Sequence, residues 1–126
     1  MTIAKVAEKY GLTADTLRYY ERIGLLPNVT RTPGGIRDYS EEDCRWVEYI
    51  KCMRSAGISV ETLIEYVKLF HQGTETIAAR KKLLLEQREQ IVARINELND
   101  VLIKLNWKLD NYEERMLKFE EDHLSS

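Results

Sequence analysis

The second half of the chain carries a hydrophobic repeat with a period of seven residues. All glycines and prolines lie at or before Gly73, so residues 74–126 contain no strong helix breaker. The repeat predicts one uninterrupted helix over residues 76–120 whose apolar stripe needs a second helix to cover it. Because the chain offers one such helix, the economical partner is a second copy of the chain in a homodimer. The predicted dimerisation seam consists of Leu84, Ile91, Ile95, Leu98, Leu102, Leu105, Leu109, Tyr112, Met116 and Phe119.

The first seventy residues instead predict several short helices. Thr2 is placed to cap a helix that Gly11 ends in the left-handed conformation. Thr13 is placed to cap a second helix, in which Leu17 and Tyr20 face inward. Two short helices joined by a glycine turn predict a helix-turn-helix over about residues 2–22.

The outer face of the second predicted helix carries polar groups at i, i+3, i+4 and i+7, namely Asp15, Arg18, Tyr19 and Arg22. An arginine here can reach guanine or a phosphate, a tyrosine can donate to a phosphate oxygen, and an aspartate can accept from a cytosine amino group. The alternative is an ordinary solvated helix face, and charge alone does not separate the two.

Breakers between residues 27 and 39 predict a short two-stranded wing. Arg31 and Arg37 flank its Gly34–Gly35 tip, a layout suited to following a phosphate backbone. The alternative is a polar surface hairpin. Beyond it, a capping box from Ser40 to Asp43 opens a helix over about residues 41–55, and another helix follows over about residues 60–70.

Charge is distributed unevenly along the chain, whose formal net charge is −2. Residues 1–40 hold six basic and four acidic side chains, whereas residues 110–126 hold two basic and six acidic ones. Residues 121–126 are therefore expected to form an acidic tail, and the basic N-terminal part permits contact with nucleic acid. No run of about 18 apolar residues and no secretory signal is present, so we expect a cytoplasmic chain without a membrane partner.

The reactive side chains are few and scattered. Cys44 and Cys52 would lie about 12 Å apart on one helix, too far for a disulfide. His71 and His123 lack neighbours at metal-ligand spacing, and no catalytic constellation is visible. We therefore expect no metal, no cofactor and no enzymatic activity. A non-catalytic coiled-coil scaffold would explain the C-terminal half equally well.

Three motifs in a fixed order resolve this ambiguity: TLRYYERIGLL at 16–26, GGIRDYSEED at 34–43 and IKCMRSAGIS at 50–59. With them the sequence resembles the MerR family of transcription regulators. The resemblance implies a mainly α fold, in which a winged helix-turn-helix DNA-binding domain is followed by one long dimerisation helix that forms an antiparallel coiled coil. The implied organisation is a DNA-binding domain over residues 1–70, a hinge over 71–75 and the dimerisation helix over 76–120.

The resemblance also implies a mechanism. A dimer would bind a near-palindromic operator within an overlong promoter spacer and distort the DNA, so that RNA polymerase, contacted only indirectly, can engage both promoter elements. Arg18 and Tyr19 match the family's recognition helix, Arg37 and Tyr39 match its wing, and Arg54 lies in the region of its second wing. The predicted DNA-contacting residues are Asp15, Thr16, Arg18, Tyr19, Arg22, Arg31, Arg37, Tyr39 and Arg54.

Within the family, the KCM segment most resembles the thiol-dependent, aldehyde- and electrophile-responsive branch typified by NmlR and AdhR. Cys52 matches the sensor cysteine of that branch. Lys51 favours a thiolate there and Glu48 opposes it, so a buried inert thiol is the alternative. Cys44 is expected to serve packing.

Overall fold

The computed structural model describes residues 1–26 and 28–124, and this part of the chain is mainly helical. Six α-helices follow in order, with a short 3₁₀ turn between the fourth and the fifth. They are α1 (Ile3–Tyr10), α2 (Ala14–Arg22), α3 (Glu41–Ser55), α4 (Val60–Gln72), α5 (Ile77–Leu109) and α6 (Tyr112–Leu124), and the 3₁₀ turn is Thr74–Thr76. The predicted fold class, a mainly α chain with helix-turn-helix and long helix, is confirmed.

The chain divides into two compact units. The first, Met1–Glu89, is called the head below, and the second begins at Gln90. The head extends beyond the predicted boundary at residue 70, because Leu83 and Gln87 on the first part of α5 are buried in it. The division into a DNA-binding domain over residues 1–70 and a dimerisation helix stays a prediction. Fully buried in the head are Val6, Leu17, Leu25, Leu26, Val47, Ile50, Ile58, Leu63 and Val67.

Local capping chemistry sets the helix boundaries in the head. Thr2 accepts from the backbone N–H of Lys5, and Gly11 ends α1 at a φ of 66°. Thr13 caps α2 in the same way as Thr2 caps α1. At the start of α3 both halves of the predicted capping box form, since Ser40 accepts from Asp43 N and Asp43 accepts from Ser40 N.

The loop before α3 is a hairpin, but the predicted two-stranded wing is wrong in detail. Within residues 28–39, called the wing below, a single antiparallel bridge joins Arg31 to Arg37, and no regular strand is assigned in the part of the chain described. Thr32 N donates to Ile36 O at 2.8 Å and Asp38 N donates to Thr30 O at 2.7 Å, which are the two hydrogen bonds of this bridge. The ladder does not continue beyond it, because the next backbone donors, Thr30 N and Ser40 N, both donate to Oδ2 of Asp43. Pro33 also lacks an N–H for strand pairing. Pro27, where the predicted wing begins, lies outside the described residues.

The segment predicted as a hinge contains the end of α4, Gly73 and the beginning of the 3₁₀ turn. The hydroxyl of Thr76 lies 2.7 Å from both Leu69 O and Gly73 O, and Arg80 Nε donates to it at 3.1 Å. The Arg80 guanidinium also stacks over the Phe70 ring at 5.1 Å. Specific side-chain contacts therefore fix the connection between α4 and α5.

The prediction of one uninterrupted helix over residues 76–120 is wrong. α5 ends at Leu109, and Asn111 takes a left-handed conformation with a φ of 55° before α6 begins. Asparagine tolerates this conformation better than most residues, so it can end a helix without glycine or proline. Arg115 Nη1 donates to Trp107 O at 3.0 Å and satisfies a carbonyl near the break.

This break divides the predicted seam between two helices. Tyr112, Met116 and Phe119 lie on α6, and the other seam residues lie on α5. The predicted acidic tail is not separate from the helix, because residues 121–124 belong to α6. Ser125 and Ser126 lie outside the described residues.

Candidate nucleic-acid interface

The outward face of α2 presents the polar groups that the sequence placed there. Arg18 Nη1 donates to Oδ1 of Asp15 at 2.9 Å, one turn earlier, and both side chains are exposed. The pairing occupies one guanidinium nitrogen and restricts the rotamers of Arg18, while the other two nitrogens stay available. Asp15, expected as an acceptor for a base, is engaged with Arg18 instead.

On the same helix, some aromatic and hydroxyl side chains are exposed, and others are buried or form hydrogen bonds within the helix. Tyr19 is 42% exposed, and Arg22 lies over its ring at 5.4 Å. Tyr20, by contrast, is buried, as its position beside Leu17 indicated. Thr16 is half-buried, and its hydroxyl shares a 2.9 Å hydrogen bond with Thr13 at the start of the helix. Tyr19 and Arg22 are therefore accessible, whereas Thr16 is engaged at the helix cap.

The two wing arginines are held by a carboxylate on α2 that the sequence analysis did not single out. Glu21 Oε1 accepts from Arg31 Nη2 at 2.8 Å, and Oε2 accepts from Arg37 Nε at 2.7 Å. The hydrogen bond from Arg37 to Glu21 raises the pKa of Arg37. The role of Glu21 is hard to predict from the sequence, because a loop separates it from the two arginines along the chain. The wing and α2 therefore form one surface with four arginines, Arg18, Arg22, Arg31 and Arg37.

Tyr39 does not present the surface group that its sequence position predicted. Its side chain is 3% exposed, and its hydroxyl is buried without a hydrogen-bond partner among the described residues. Burial, assisted by the charge of Glu21, raises the pKa of Tyr39. Its backbone N–H donates to Met1 O at 2.8 Å. In this structure Tyr39 therefore anchors the end of the wing to the core rather than facing outward.

Arg54, near the end of α3, is engaged locally. Its Nη1 donates to Ile58 O at 2.9 Å, across the turn that leads to α4. The residue itself is exposed. This bond fixes the turn between the two helices and leaves the other guanidinium nitrogens accessible.

The two thiols differ sharply in environment. Cys44 is buried, which agrees with the expected packing role, whereas Cys52 is exposed near the end of α3. The structure thus removes the alternative that Cys52 is a buried thiol. Ser55 Oγ donates to Cys52 O at 2.7 Å, so this end of the helix is capped by a side chain.

A second surface of the head is lined by aromatic rings. Trp46 and Tyr49 on α3 and Tyr66 and Phe70 on α4 border an open groove of about 270 Å³. Trp46 meets Phe70 edge-to-face with ring centroids 5.1 Å apart. No local pattern in the sequence predicts this groove, because its rings come from two different helices.

The seam residues on α5 and α6 present their apolar side chains to the surface. All are exposed apart from Ile91 and Met116, which are half-buried. Among the residues described, no group of three or more His, Cys, Asp and Glu side chains is arranged to hold a metal ion. No described helix is both long enough and apolar enough to cross a membrane.

Comparison with known proteins agrees with this architecture. Residues 1–69 match the model of the MerR HTH family regulatory protein, and residues 44–107 match the family model MerR, DNA binding. The first match alone covers more than half of the chain.

Individual relatives point in the same direction. The chain is 58% identical to the HTH-type transcriptional regulator AdhR of Bacillus subtilis over 92 residues, which are 73% of this chain and 66% of AdhR, slightly less than two thirds of that relative. A protein from Listeria monocytogenes assigned to the MerR family has a crystal structure similar to this one, with a TM-score of 0.87 and 42% identity over 97% of this chain and 92% of that one.

The crystal structure of HiNmlR, a MerR family regulator that lacks the sensor domain and is bound to promoter DNA, matches with a TM-score of 0.84 and 34% identity over 92% of each chain. These relatives support the resemblance to the AdhR and NmlR branch. They are transcription regulators and not enzymes. The chain therefore belongs to the MerR family of helix-turn-helix, DNA-binding transcription regulators.

Proposed function

We propose that this regulator binds promoter DNA as a homodimer, with α2 in the major groove and the wing along the neighbouring phosphates. The observation that carries this proposal is the surface on which the exposed Arg18, Tyr19 and Arg22 of α2 adjoin Arg31 and Arg37 of the wing. A helix-turn-helix docks its second helix in the major groove, and basic groups beside it contact the backbone. HiNmlR, which is similar over most of its length, is bound to promoter DNA in its crystal structure.

The individual roles follow from the accessible groups. Arg18 keeps free guanidinium nitrogens for a guanine edge or a phosphate, and its pairing with Asp15 restricts its rotamers. Tyr19 and Arg22 are placed for phosphate contacts, as are the wing arginines, and Arg54 is placed for a more distant phosphate. Asp15 and Thr16 act in this scheme by ordering the start of α2. Tyr39 contributes by packing the end of the wing against the core.

The homodimer is supported by the apolar side chains that α5 leaves uncovered. Leu98, Leu102 and Leu105 are each more than half exposed, although each repeats at coiled-coil spacing. Fully burying a leucine side chain contributes roughly 1.5–3 kcal/mol, so a row of them strongly favours pairing. We infer that two copies pair antiparallel along this seam, as the family resemblance implies, and thereby set the spacing of the two heads.

We further propose that the dimer binds a near-palindromic operator in an overlong promoter spacer. Distorting that DNA would bring both promoter elements to a geometry that RNA polymerase can engage, so RNA polymerase would be an indirect partner. An effector would shift the dimer between two arrangements of its heads, which couples the sensing site to the deformation of DNA. We place this activity in the cytoplasm.

The proposed signal is an aldehyde or another electrophile that modifies Cys52. The support is the exposure of this thiol, the burial of Cys44, and the similarity of the chain to AdhR. Because thiol modification requires access to the sulfur atom, exposure is the first condition that a sensor cysteine must meet.

Arg18→Ala tests the DNA-binding surface. We expect the variant to lose roughly tenfold or more of its affinity for the chain's own upstream promoter, and to discriminate less between promoter and unrelated DNA. Arg45→Ala is the matched control, because it removes an equal charge from an exposed position on α3 that borders the aromatic groove. Equal promoter affinity of the two variants, measured at the same moderate salt concentration, would contradict the proposal and leave a coiled-coil scaffold as the better description.

A further inference from the structure

We propose that Glu21 is a positioning residue for DNA binding, which holds the guanidinium of Arg37 so that its terminal nitrogens face the phosphate backbone. The proposal rests on the proposed function, since it presumes that the wing contacts DNA. It assigns a role to an acidic side chain that lies between the arginines of α2 and the wing.

The geometry gives each carboxylate oxygen of Glu21 one arginine. Oε2 accepts from Arg37 Nε at 2.7 Å, and Oε1 accepts from Arg31 Nη2 at 2.8 Å. Arg31 and Arg37 lie on opposite sides of the single bridge that closes the wing. One side chain from the last turn of α2 therefore connects the recognition helix to both sides of the wing.

The two arginines depend on Glu21 to different degrees. Arg31 has a second anchor, because its Nη1 donates to Gly35 O at 3.1 Å. For the side chain of Arg37, Glu21 is the sole hydrogen-bonding partner among residues 1–26 and 28–124. The bond uses Nε and leaves both terminal nitrogens of Arg37 unpaired, with the side chain 27% exposed. An arginine held at Nε presents a defined edge to an anion without further loss of rotamer freedom.

Charge alone predicts the opposite effect, which makes the proposal testable. A carboxylate near DNA repels phosphates, and it neutralises part of the attraction of the surrounding arginines. If Glu21 did nothing else, its removal would strengthen binding to every DNA sequence. If it positions Arg37, its removal weakens binding to the promoter while the general attraction stays constant or grows.

The experiment compares Glu21→Gln with Glu8→Gln. Glu8 is exposed on α1, and its side chain makes no hydrogen bond or ion pair within the described part of the chain, so its substitution changes the charge of the head equally. We expect E21Q to bind the chain's own promoter about tenfold more weakly than E8Q, with unrelated DNA bound equally or more tightly. Promoter affinity of E21Q equal to or above that of E8Q overturns the proposal.

A double-mutant cycle tests whether Glu21 acts through Arg37. In the R37A background, E21Q should lower promoter affinity less than about twofold, because the guanidinium that Glu21 positions is absent. An undiminished tenfold loss in that background overturns the proposed route through Arg37. A merely structural role of Glu21 would cost the same in both backgrounds.

The same cycle separates this inference from the proposed function. If R37A itself keeps full promoter affinity, the wing contact fails and the positioning role fails with it. If R37A loses affinity while E21Q matches E8Q, only the positioning role fails. Circular dichroism checks that each variant folds. Should E21Q not fold, Glu21→Asp keeps the charge but shortens the reach, and unchanged promoter affinity of a folded E21D overturns the proposal.

Discussion

The hydroxyl of Tyr49 on α3 donates a 3.0 Å hydrogen bond to Oε1 of Gln87 on α5. Gln87 is 2% exposed, and its Nε2 has no hydrogen-bond partner among the described residues. Burial raises the pKa of Tyr49 even though the bond to Gln87 lowers it. This pair joins the first part of the long helix to the rest of the head, close to the aromatic groove that Tyr49 borders.

Tyr49→Phe should therefore destabilise the head. The variant leaves both Oε1 and Nε2 of Gln87 buried without a hydrogen-bond partner among the described residues, which lowers the free energy of unfolding by about 1–3 kcal/mol. Urea denaturation followed by circular dichroism measures the change, at one fixed chain concentration because the proposed dimerisation would contribute to stability. Tyr66→Phe is the control, since Tyr66 packs against Tyr49 with ring centroids 5.7 Å apart but has no hydrogen bond from its hydroxyl within the described residues. A loss of equal size in both variants would contradict a specific role of the bond.

The carboxylate of Asp43 should make the head sensitive to acid. Burial alone would raise the pKa of Asp43, but hydrogen bonds from Ser40 and Thr30 outweigh it and lower the pKa below 3.8. An acidic group whose pKa is lower in the folded state than in the unfolded state stabilises the fold fully at pH values above its unfolded pKa. This stabilisation is lost as the pH falls through the folded-state pKa. We expect Asp43→Asn to cost about 1–2 kcal/mol at neutral pH and progressively less below about pH 4.

Glu41→Gln provides the comparison for Asp43. Glu41 lies in the same first turn of α3 but is exposed, and its side chain has no hydrogen bond in the described structure. Its substitution removes the same charge from the helix N-terminus without removing the cap. Denaturation curves between pH 3 and 7 should show a pH-dependent difference from the original chain for D43N and nearly none for E41Q. Parallel curves for both would count against the capping explanation.

The seam can be tested with two neighbouring aliphatic residues. Leu102 belongs to the seam and Ile103 does not, although both are more than half exposed on α5. Leu102→Lys should shift the chain toward single copies in sedimentation at micromolar concentration, because it places two charges in the core of the coiled coil. Ile103→Lys should leave the association unchanged. Dissociation by both variants, or by neither, would contradict the predicted seam.

Thiol reactivity should follow exposure. We expect a small alkylating reagent to modify Cys52 much faster than Cys44, which is 8% exposed, with mass spectrometry measuring the two rates. In cells, Cys52→Ala should abolish promoter activation by aldehydes, whereas Cys44→Ala should retain it. Normal induction in the C52A strain would exclude this thiol as the sensor even if it reacts in the purified protein.

Local signals in the sequence were sufficient for most of the head. Thr2, Thr13, Ser40 and Ser59 each cap the helix that follows, because capping depends on a side chain and a backbone N–H only a few residues away. The inward positions Leu17 and Tyr20 were likewise readable from helical periodicity. The break at Asn111 was missed, since asparagine ends a helix less reliably than glycine or proline.

By itself, the sequence determined the order of the first four helices, their caps, the outward face of α2 and the apolar repeat of α5, because each of these depends on neighbours within about one or two turns of the chain. The tertiary structure alone decided that Glu21 holds Arg31 and Arg37, that Tyr39 turns into the core, and that Tyr49 meets Gln87. These contacts join residues that are distant in sequence, and no local periodicity or spacing encodes which distant side chains share a surface once the helices pack.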